Sequence, residues 1–158
     1  MSSTLAHLDL SGTGLCASFN FRRTARAVTR LYDQAFQPFG ITSTQFSVLI
    51  ALAKTQPSSI TGLADLLVAD RTTLTRSLGL MQKQGLLTIS QRSTKRQRFL
   101  NLTEEGEKVL ARVLPVWRKV QEQFVRSMGP DHWRKLQNEL ENLSKAASKL
   151  DRPPGFAE

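Results

Sequence analysis

The chain has 158 residues, of which 40% are hydrophobic, and a formal net charge of +9, which suits one folded domain with a basic surface and an anionic partner. A single cysteine excludes an intrachain disulfide, and the two distant histidines, His7 and His132, lack the spacing of a zinc site. Because the chain contains no signal peptide and no run of about 18 apolar residues, we expect a cytoplasmic protein with no cofactor and no membrane partner.

The first part of the chain predicts a mobile arm followed by one long helix. Residues 1–14 are rich in Ser, Thr and Gly and show little periodicity, which is typical of a flexible terminus. Across residues 15–40, apolar side chains recur every three or four positions, at Ala17, Phe21, Ala25, Val28, Tyr32, Ala35 and Phe39. Pro38 and Gly40 are expected to end this helix.

The next two segments predict short helices that serve as a scaffold. Thr42 and Gln45 have the spacing of a capping box, in which two exposed backbone donors are satisfied at the start of a helix. The apolar residues of this helix are Phe46, Leu49, Ile50 and Ala53, and those of the next are Leu63, Leu66 and Leu67. Residues 55–59 are interpreted as the loop between them, and Leu66→Ala is expected to cost a few kcal/mol of folding stability.

Residues 61–86 predict two helices joined by a tight turn, of which the second faces outward. Asp70 is expected to cap the second helix and Gly85 to end it in a left-handed conformation. Leu74, Leu78 and Met81 form its buried row, whereas the exposed face carries Arg71, Thr72, Thr73, Thr75 and Arg76. Because a DNA-recognition helix presents its N-terminal end to base edges and phosphates, this face is a candidate DNA-binding surface. An ordinary surface helix is the alternative.

A basic hairpin is predicted directly after these helices. Residues 87–91 and 98–102 alternate as short strands, and between Ser90 and Leu102 the chain carries four cations, Arg92, Lys95, Arg96 and Arg98, and no acid. A helix-turn-helix followed by such a hairpin is a winged helix-turn-helix, whose wing approaches the minor groove or the DNA backbone. We therefore expect residues 41–102 to bind double-stranded DNA, with a merely solubilising hairpin as the alternative.

Residues 103–150 predict two further helices. Thr103 is expected to cap the first, which should extend to about residue 127 with a kink at Pro115. Pro130 is expected to start the second, whose apolar row is Trp133, Leu136, Leu140, Leu143 and Leu150. The proline-containing tail at residues 151–158 is expected to be disordered.

The flanking helices carry more apolar surface than one winged element can cover. We expect residues 15–40 and 103–150 to form the dimerisation region of a two-fold homodimer, which also places two recognition helices on successive turns of one DNA face. A monomer that packs its ends against itself is the alternative. The expected fold class is mainly α with a small β-hairpin: a winged helix-turn-helix core plus N- and C-terminal dimerisation helices.

The stretches ITSTQF, DRTTLTRSLGLMQKQGL and FLNLTEEG resemble the MarR (multiple antibiotic resistance regulator) family of bacterial transcriptional regulators. The resemblance covers roughly residues 15–150, and its most specific parts are GLL after the recognition helix and LTEEG after the wing. It implies a homodimer that binds pseudo-palindromic operators, usually as a repressor, and that small phenolic or other anionic ligands or oxidation can release. It also implies that Arg96 is the wing arginine that enters the minor groove. Thr94 stands where the family carries an acid, so this wing lacks the usual salt-bridge partner.

A ligand that controls DNA binding is expected between the trailing helices and the winged core. The candidate lining residues are Phe21, Arg22, Arg26, Tyr32, Phe46 and Trp117, which would offer aromatic walls and guanidinium groups to a small aromatic or anionic effector. The alternative is that these aromatic side chains simply fill the core.

Cys16 carries an alternative function, that of an oxidation-sensing repressor. It lies at the start of the first helix, where the organic-hydroperoxide-sensing branch of the MarR family has its reactive cysteine, and a helix N-terminus can activate a thiol. That branch has a tyrosine four residues later, whereas this chain has Asn20. A lone cysteine is most often a small buried hydrophobic residue, and we favour that interpretation of Cys16.

Two other function classes are less favoured. An enzyme is not expected, because the sequence has no nucleophile-and-base pair, nucleotide loop or metal cluster. An RNA-binding or protein-interaction winged helix is the remaining alternative, although the predicted recognition face lacks the aromatic side chains on which RNA bases stack.

Overall fold

The computed structural model describes residues 8–55, 58–91 and 98–149. Within these ranges the chain forms helices α1 (Ala17–Phe36), α2 (Ser43–Thr55), α3 (Ile60–Leu67), α4 (Arg71–Lys83), α5 (Glu104–Met128) and α6 (Pro130–Lys149), with strands β1 (Ser58–Ser59), β2 (Leu87–Gln91) and β3 (Arg98–Leu102). The strands form one antiparallel sheet in the order β1, β3, β2. The chain divides into two compact units, with the boundary inside α5 between Val116 and Trp117. The described helices include none that is long and apolar enough to cross a membrane.

Helix α1 ends in an aromatic cluster that joins it to α2. Phe36 is fully buried and its ring lies between Tyr32, at a centroid distance of 6.0 Å, and Phe46, at 5.0 Å. The sequence analysis predicted that the apolar row of this helix continues through Ala35 to Phe39. The chain leaves the α-helix after Phe36 for a 3₁₀ turn over Gln37–Phe39, so the α-helical period does not extend to Phe39, which is only half-buried.

Helix α2 is the central helix of the first unit, and it contacts α1, α3 and β3. The predicted capping box is confirmed: the Gln45 side-chain oxygen accepts from the Thr42 N–H at 2.9 Å, and Thr42 Oγ1 accepts from the Gln45 N–H at 3.2 Å. Its buried residues are Gln45, Phe46, Val48, Leu49, Ala51 and Leu52. Burial of Ala53 was wrongly predicted, since Ala53 is exposed. It lies about two helical turns after Phe46, toward the end of α2, where neighbouring elements bury Ala51 and Leu52 but not Ala53.

The sheet contains one strand that the sequence did not indicate. Residues Ser58–Ser59 were expected to be loop but pair with β3, Ser58 opposite Leu100 and Ser59 opposite Phe99. Two serines offer no apolar alternation, so only the available edge of β3 makes them a strand. The bounds of β2 and β3 agree with the prediction, and Leu87 and Leu100 anchor this pair in the core.

A close backbone contact joins the end of the winged element to α5. Thr103 caps α5 as predicted, since its Oγ1 accepts from the Gly106 N–H at 3.0 Å. The same hydroxyl donates to the Gly85 carbonyl at 2.5 Å, and the Thr103 N–H donates to the Leu86 carbonyl at 3.2 Å. A Cβ on Gly106 would overlap the Leu86 carbonyl oxygen and lie 3.0 Å from its carbonyl carbon. Only glycine fits at this position, because the Leu86 carbonyl leaves no room for a side chain.

The second unit consists of the end of α5 and all of α6. The rings of Phe124 and Trp133 meet edge to face with centroids 5.6 Å apart. The predicted apolar row of α6 is present but largely uncovered: Leu140 is 40% exposed and Leu143 48% exposed, and none of the described residues of α6 is buried. Leu150 and the tail lie outside the described residues. Helix α5 continues through Pro115 to Met128, and the expected kink stays a prediction.

We expect Gly106→Ala to destabilise the protein by about 2–3 kcal/mol, because the added methyl group collides with backbone that cannot move without breaking the Thr103 bonds. Urea unfolding followed by circular dichroism measures this loss. Glu107→Ala, at an exposed position of the same helix turn, is the control and should change the midpoint little. Equal midpoints for Gly106→Ala and the unaltered protein would contradict the packing described.

Candidate nucleic-acid interface

The turn before the candidate recognition helix is tight and uses an unusual backbone conformation. Val68 follows the last residue of α3 with φ of 49°, a left-handed conformation that costs a β-branched residue about 1–2 kcal/mol. The turn is closed by the Ala69 N–H, which donates to the Ala64 carbonyl at 2.9 Å. Leu63 and Ala64 hold α3 in the core, whereas Leu66 is 58% exposed. The prediction of a buried Leu66 is therefore wrong, and with it the expected cost of Leu66→Ala.

Helix α4 is fixed at its N-terminus by Asp70, as predicted. The Asp70 carboxylate accepts from the Thr73 N–H at 2.8 Å, and this backbone hydrogen bond lowers the pKa of Asp70 below its ordinary value of 3.8. On the inner side, Leu74, Leu78 and Met81 are buried as expected. The cap and the buried row together set the direction of α4 and the face that it turns outward.

A second attachment, which the sequence analysis missed, holds the C-terminal end of α4. Gln45, which is 4% exposed, donates through Nε2 to Oε1 of Gln84 at 2.9 Å, and Gln84 is the C-terminal capping residue of α4. Gly85 follows in the left-handed conformation, with φ of 74°, as predicted from its position. The spacing of Gln45 and Gln84 by 39 residues left no local signal for this bond.

The outward face of α4 brings together all five residues that the sequence analysis assigned to it. Arg71, Thr72, Thr73, Thr75 and Arg76 are all exposed. The Thr75 hydroxyl donates to the Arg71 carbonyl at 2.6 Å, so its oxygen lone pairs are directed outward as acceptors. Helix α4 carries the cations Arg71, Arg76 and Lys83 and no acid. This face therefore combines positive charge with hydroxyl groups, which suits phosphates and base edges.

The candidate wing residues divide between described and undescribed parts of the chain. Arg98 starts β3, lies opposite Gln91 and is exposed. Arg92, Lys95 and Arg96 lie outside the described residues, as does Thr94. The two strands are thus in place to carry a basic tip, and the tip itself stays a sequence-based prediction.

The residues proposed to hold an effector are distributed over α1, α2 and α5, and the effector site stays a prediction. Tyr32 and Phe46 both contact Phe36, so Phe46 is a core residue. Phe21 precedes Tyr32 by three helical turns of α1, about 16 Å along the axis, and Trp117 belongs to the second unit.

Two arginines of α1 border an open cleft in the first unit. The cleft has a volume of about 600 Å³, and its lining is Ala25, Arg26, Thr29, Arg30, Asp33, Gln34 and Gln37. Of the predicted effector residues only Arg26 lines it. Arg22 and Arg26 are both exposed.

Cys16 is exposed, which contradicts its interpretation as a small buried residue. It precedes the first residue of α1 and its side chain makes no capping bond. The Asn20 amide donates to the carbonyls of Gly14 and Cys16, each at 3.0 Å. The first turn of α1 is therefore held by Asn20, and Cys16 stays at the surface of the chain.

The order of the elements, the three-stranded sheet and the outward face of α4 define a winged helix-turn-helix protein. Comparison with known proteins agrees with this class. Residues 39–97 match the model of the MarR family. The structure is similar to that of the Mycobacterium tuberculosis transcriptional regulator MosR in complex with DNA, with a TM-score of 0.80, 34% identity and coverage of 87% of this chain and 99% of MosR.

Two further proteins are similar to this chain, one in sequence and one in fold. The transcriptional regulator HosA of Escherichia coli is 35% identical over 86 residues, which are 54% of this chain and 64% of HosA, so the match spans less than two thirds of that relative. The repressor CouR bound to p-coumaroyl-CoA shares the fold, with a TM-score of 0.74, 22% identity and coverage of 87% of this chain and 97% of CouR. The chain belongs to the MarR family, a family of transcriptional regulators rather than enzymes.

The lowered pKa of Asp70 predicts a specific pH dependence of stability. Since the folded state favours the carboxylate, Asp70 contributes stability above its ordinary pKa of 3.8, and that contribution is lost as the pH falls through the lower pKa of the folded state. Asp70→Asn keeps a capping oxygen but does not titrate. We therefore expect the stability difference between the unaltered protein and Asp70→Asn to shrink on acidification.

Urea midpoints of both proteins at neutral pH and below pH 3.8 measure this difference. Asp70→Ser, which also caps without titrating, is the control and should show the same pH dependence as Asp70→Asn. A difference that stays constant with pH would exclude the carboxylate cap as its source.

Proposed function

We propose that this protein is a homodimeric transcriptional repressor that binds a pseudo-palindromic operator through α4 and the wing, and that a small anionic effector releases it. The observation that carries the proposal is the outward face of α4, which is basic and free of acids and which is held by attachments at both ends of the helix. The 34% identical MosR structure in complex with DNA supports the same use of the fold.

The chemistry of this face suits the major groove of DNA. An exposed arginine such as Arg76 can donate two hydrogen bonds to O6 and N7 of one guanine, while threonine hydroxyls contact bases or phosphates. Arg76 lies off the buried row of Leu74, Leu78 and Met81, so its guanidinium is available to DNA without any change in the core.

The wing supplies the second part of the proposed interface. Arg98 at the start of β3 is exposed. The inclusion of Arg92, Lys95 and Arg96 in the wing interface is inferred from the sequence alone. Their role is to neutralise phosphates and enter the minor groove, which strengthens binding to any DNA sequence. Thr94 replaces the acid that the family carries near the wing arginine. Since that salt-bridge partner is missing, the proposed contribution of the wing to DNA binding is mainly electrostatic.

A second copy of the chain is the proposed cover for the apolar rows of α1 and α6. In α1, Phe19 is 54% exposed, Phe21 46% and Leu31 42%. In α6, Leu140 and Leu143 are exposed as well. Exposed large apolar side chains on both helices favour an interaction surface, and a two-fold homodimer is the arrangement that also presents two copies of α4 to one operator.

The proposed effector is a small anionic molecule. The exposed guanidinium groups of Arg26 and Arg30 beside the α1 cleft support an anionic effector, although Asp33 in the same cleft opposes a high negative charge.

No catalytic role is proposed for any residue. Binding to a bacterial operator would place the protein in the cytoplasm. Oxidation sensing by Cys16 is not favoured by any observation beyond the exposure of its thiol.

Loss of the Arg76 side chain is the direct test of the DNA-binding surface. We expect Arg76→Ala to weaken operator binding by about 1–3 kcal/mol if Arg76 reads a base. The DNA flanking the protein's own coding region, first footprinted, provides the operator, and fluorescence anisotropy measures the affinity.

Arg112→Ala is the matched control, since it removes the same charge from an exposed position of α5 outside the proposed interface. Native circular dichroism of both variants excludes unfolding as a cause. Arg76→Ala protein that is folded and binds the operator with unaltered affinity would remove Arg76 from the interface.

A charge placed in the α6 row tests the homodimer. Leu140 is already partly exposed in the single chain, so Leu140→Asp would cost a monomer little, whereas in a dimer it buries an unpaired carboxylate. We expect this variant to dissociate or aggregate in sedimentation equilibrium. Asn138→Asp adds the same charge on the other side of α6 and should stay dimeric. A Leu140→Asp protein with the same mass as the unaltered dimer would exclude this row from the interface.

A further inference from the structure

The exposed face of α4 continues beyond Arg76 for another helical turn. At 3.6 residues per turn, Gly79 and Leu80 lie on either side of the line that runs from Arg76 to Lys83, and Thr72 and Thr73 lie on either side of the same line in the preceding turn. The rise of about 1.5 Å per residue places Leu80 about 6 Å along the helix from Arg76. The face that carries the proposed DNA contacts therefore also carries Gly79 and Leu80.

None of the described residues packs against Gly79 closely enough to require a glycine there. A Cβ added to Gly79 would have no atom within 4 Å, in contrast to Gly106, where it would overlap the Leu86 carbonyl. Gly79 also lacks the positive φ of Gly12, Gly40, Gly85 and Gly129. In a helix interior glycine costs stability relative to alanine, and no close packing against the described residues requires that cost at Gly79.

Leu80 is an apolar side chain on a face that is otherwise polar and basic. It is 54% exposed, whereas Leu78 and Met81 beside it in the sequence are fully buried. Water is an unfavourable environment for this side chain. The major groove of DNA offers a suitable apolar contact, because every thymine presents its C5-methyl group there.

We propose that Gly79 and Leu80 extend the recognition surface by one turn, with Gly79 allowing the DNA to approach the helix backbone and Leu80 packing against a thymine methyl group. The occupant is the operator duplex, because this surface is continuous with the proposed Arg76 contact and because Arg71, Arg76 and Lys83 give α4 a positive charge without any acid. The inference rests on the proposed DNA-binding function and adds a specificity determinant to it.

Gly79→Ala is the first test, because it separates folding from binding. The added methyl group has space in the free protein and favours the helix, so the urea midpoint should rise while operator affinity falls about tenfold or more, from the lost close approach. Asn138→Ala, which also favours the helix but at an exposed position of α6 outside the proposed interface, is the matched control and should leave the affinity unaltered. Unaltered affinity of Gly79→Ala for the operator would overturn the role of Gly79.

Removal of single methyl groups from the DNA is the second test, and it addresses Leu80. Each thymine of the operator is replaced in turn by uracil, which keeps base pairing but lacks the C5-methyl group. We expect one substitution in each half-site to weaken binding of the unaltered protein severalfold and to have no effect on Leu80→Ala. Leu80→Ala that binds like the unaltered protein, or that responds to every uracil as the unaltered protein does, would overturn the proposal for Leu80.

The outcomes also separate this inference from the function on which it rests. If the unaltered protein binds no DNA, both fail. If it binds the operator and Arg76→Ala weakens binding, while Gly79→Ala and Leu80→Ala do not, only the extension of the surface fails.

Discussion

The Leu86 carbonyl is the point at which the parts of the winged element are joined. It accepts from the Thr103 N–H, and the backbone of α5 at Gly106 approaches it so closely that no side chain fits between them. Leu86 lies between the end of α4 and the start of β2, and Thr103 lies between the end of β3 and the start of α5. The base of the wing therefore cannot shift relative to the recognition helix without breaking the N-terminal cap of α5. The two stretches that most resemble the MarR family, GLL and LTEEG, are thus the two sides of one contact.

Helix α4 is positioned by attachments that do not use its outward face. Asp70 holds its first turn and Gln84 its last, the latter through the buried Gln45 amide, whose oxygen and nitrogen are both satisfied. The arrangement makes stability and recognition separable properties of one helix: Arg76 and Leu80 can vary without loss of either attachment. The same Gln45 also closes the capping box of α2, so the start of α2 and the end of α4 are fixed together.

Local signals in the sequence were sufficient for the caps, the strand bounds and the buried row of α4. The capping residues Asp70 and Thr103 act within three residues of themselves, so their roles follow from short spacings. The errors arose where burial depends on partners distant in sequence. Leu66 has the right period for a core residue but is exposed, because the contacts of α3 with α2, α4 and the sheet bury Leu63 and Ala64 instead. Ser58 belongs to a strand only because it pairs with the edge of β3 at Leu100, which lies 42 residues later in the sequence.

The candidate site was predictable to the extent that charge distinguishes it from the core. Exposed arginines and threonines on one face of a helix cannot also be core, so the helical period alone assigned Arg76 and its neighbours correctly to the exposed side. Aromatic residues carry no such distinction, because the same side chain suits a core and the wall of a ligand site equally well. Tyr32 and Phe46 illustrate this: both contact the buried Phe36 ring, which is equally compatible with a core and with the wall of a ligand site. Gly79 and Leu80 were missed because their residue types do not indicate a binding surface. A glycine in a helix suggests only low helix propensity, and a leucine suggests burial. The open space around Gly79 and the exposure of Leu80 are visible only in the structure, and they direct attention to a partner outside the chain.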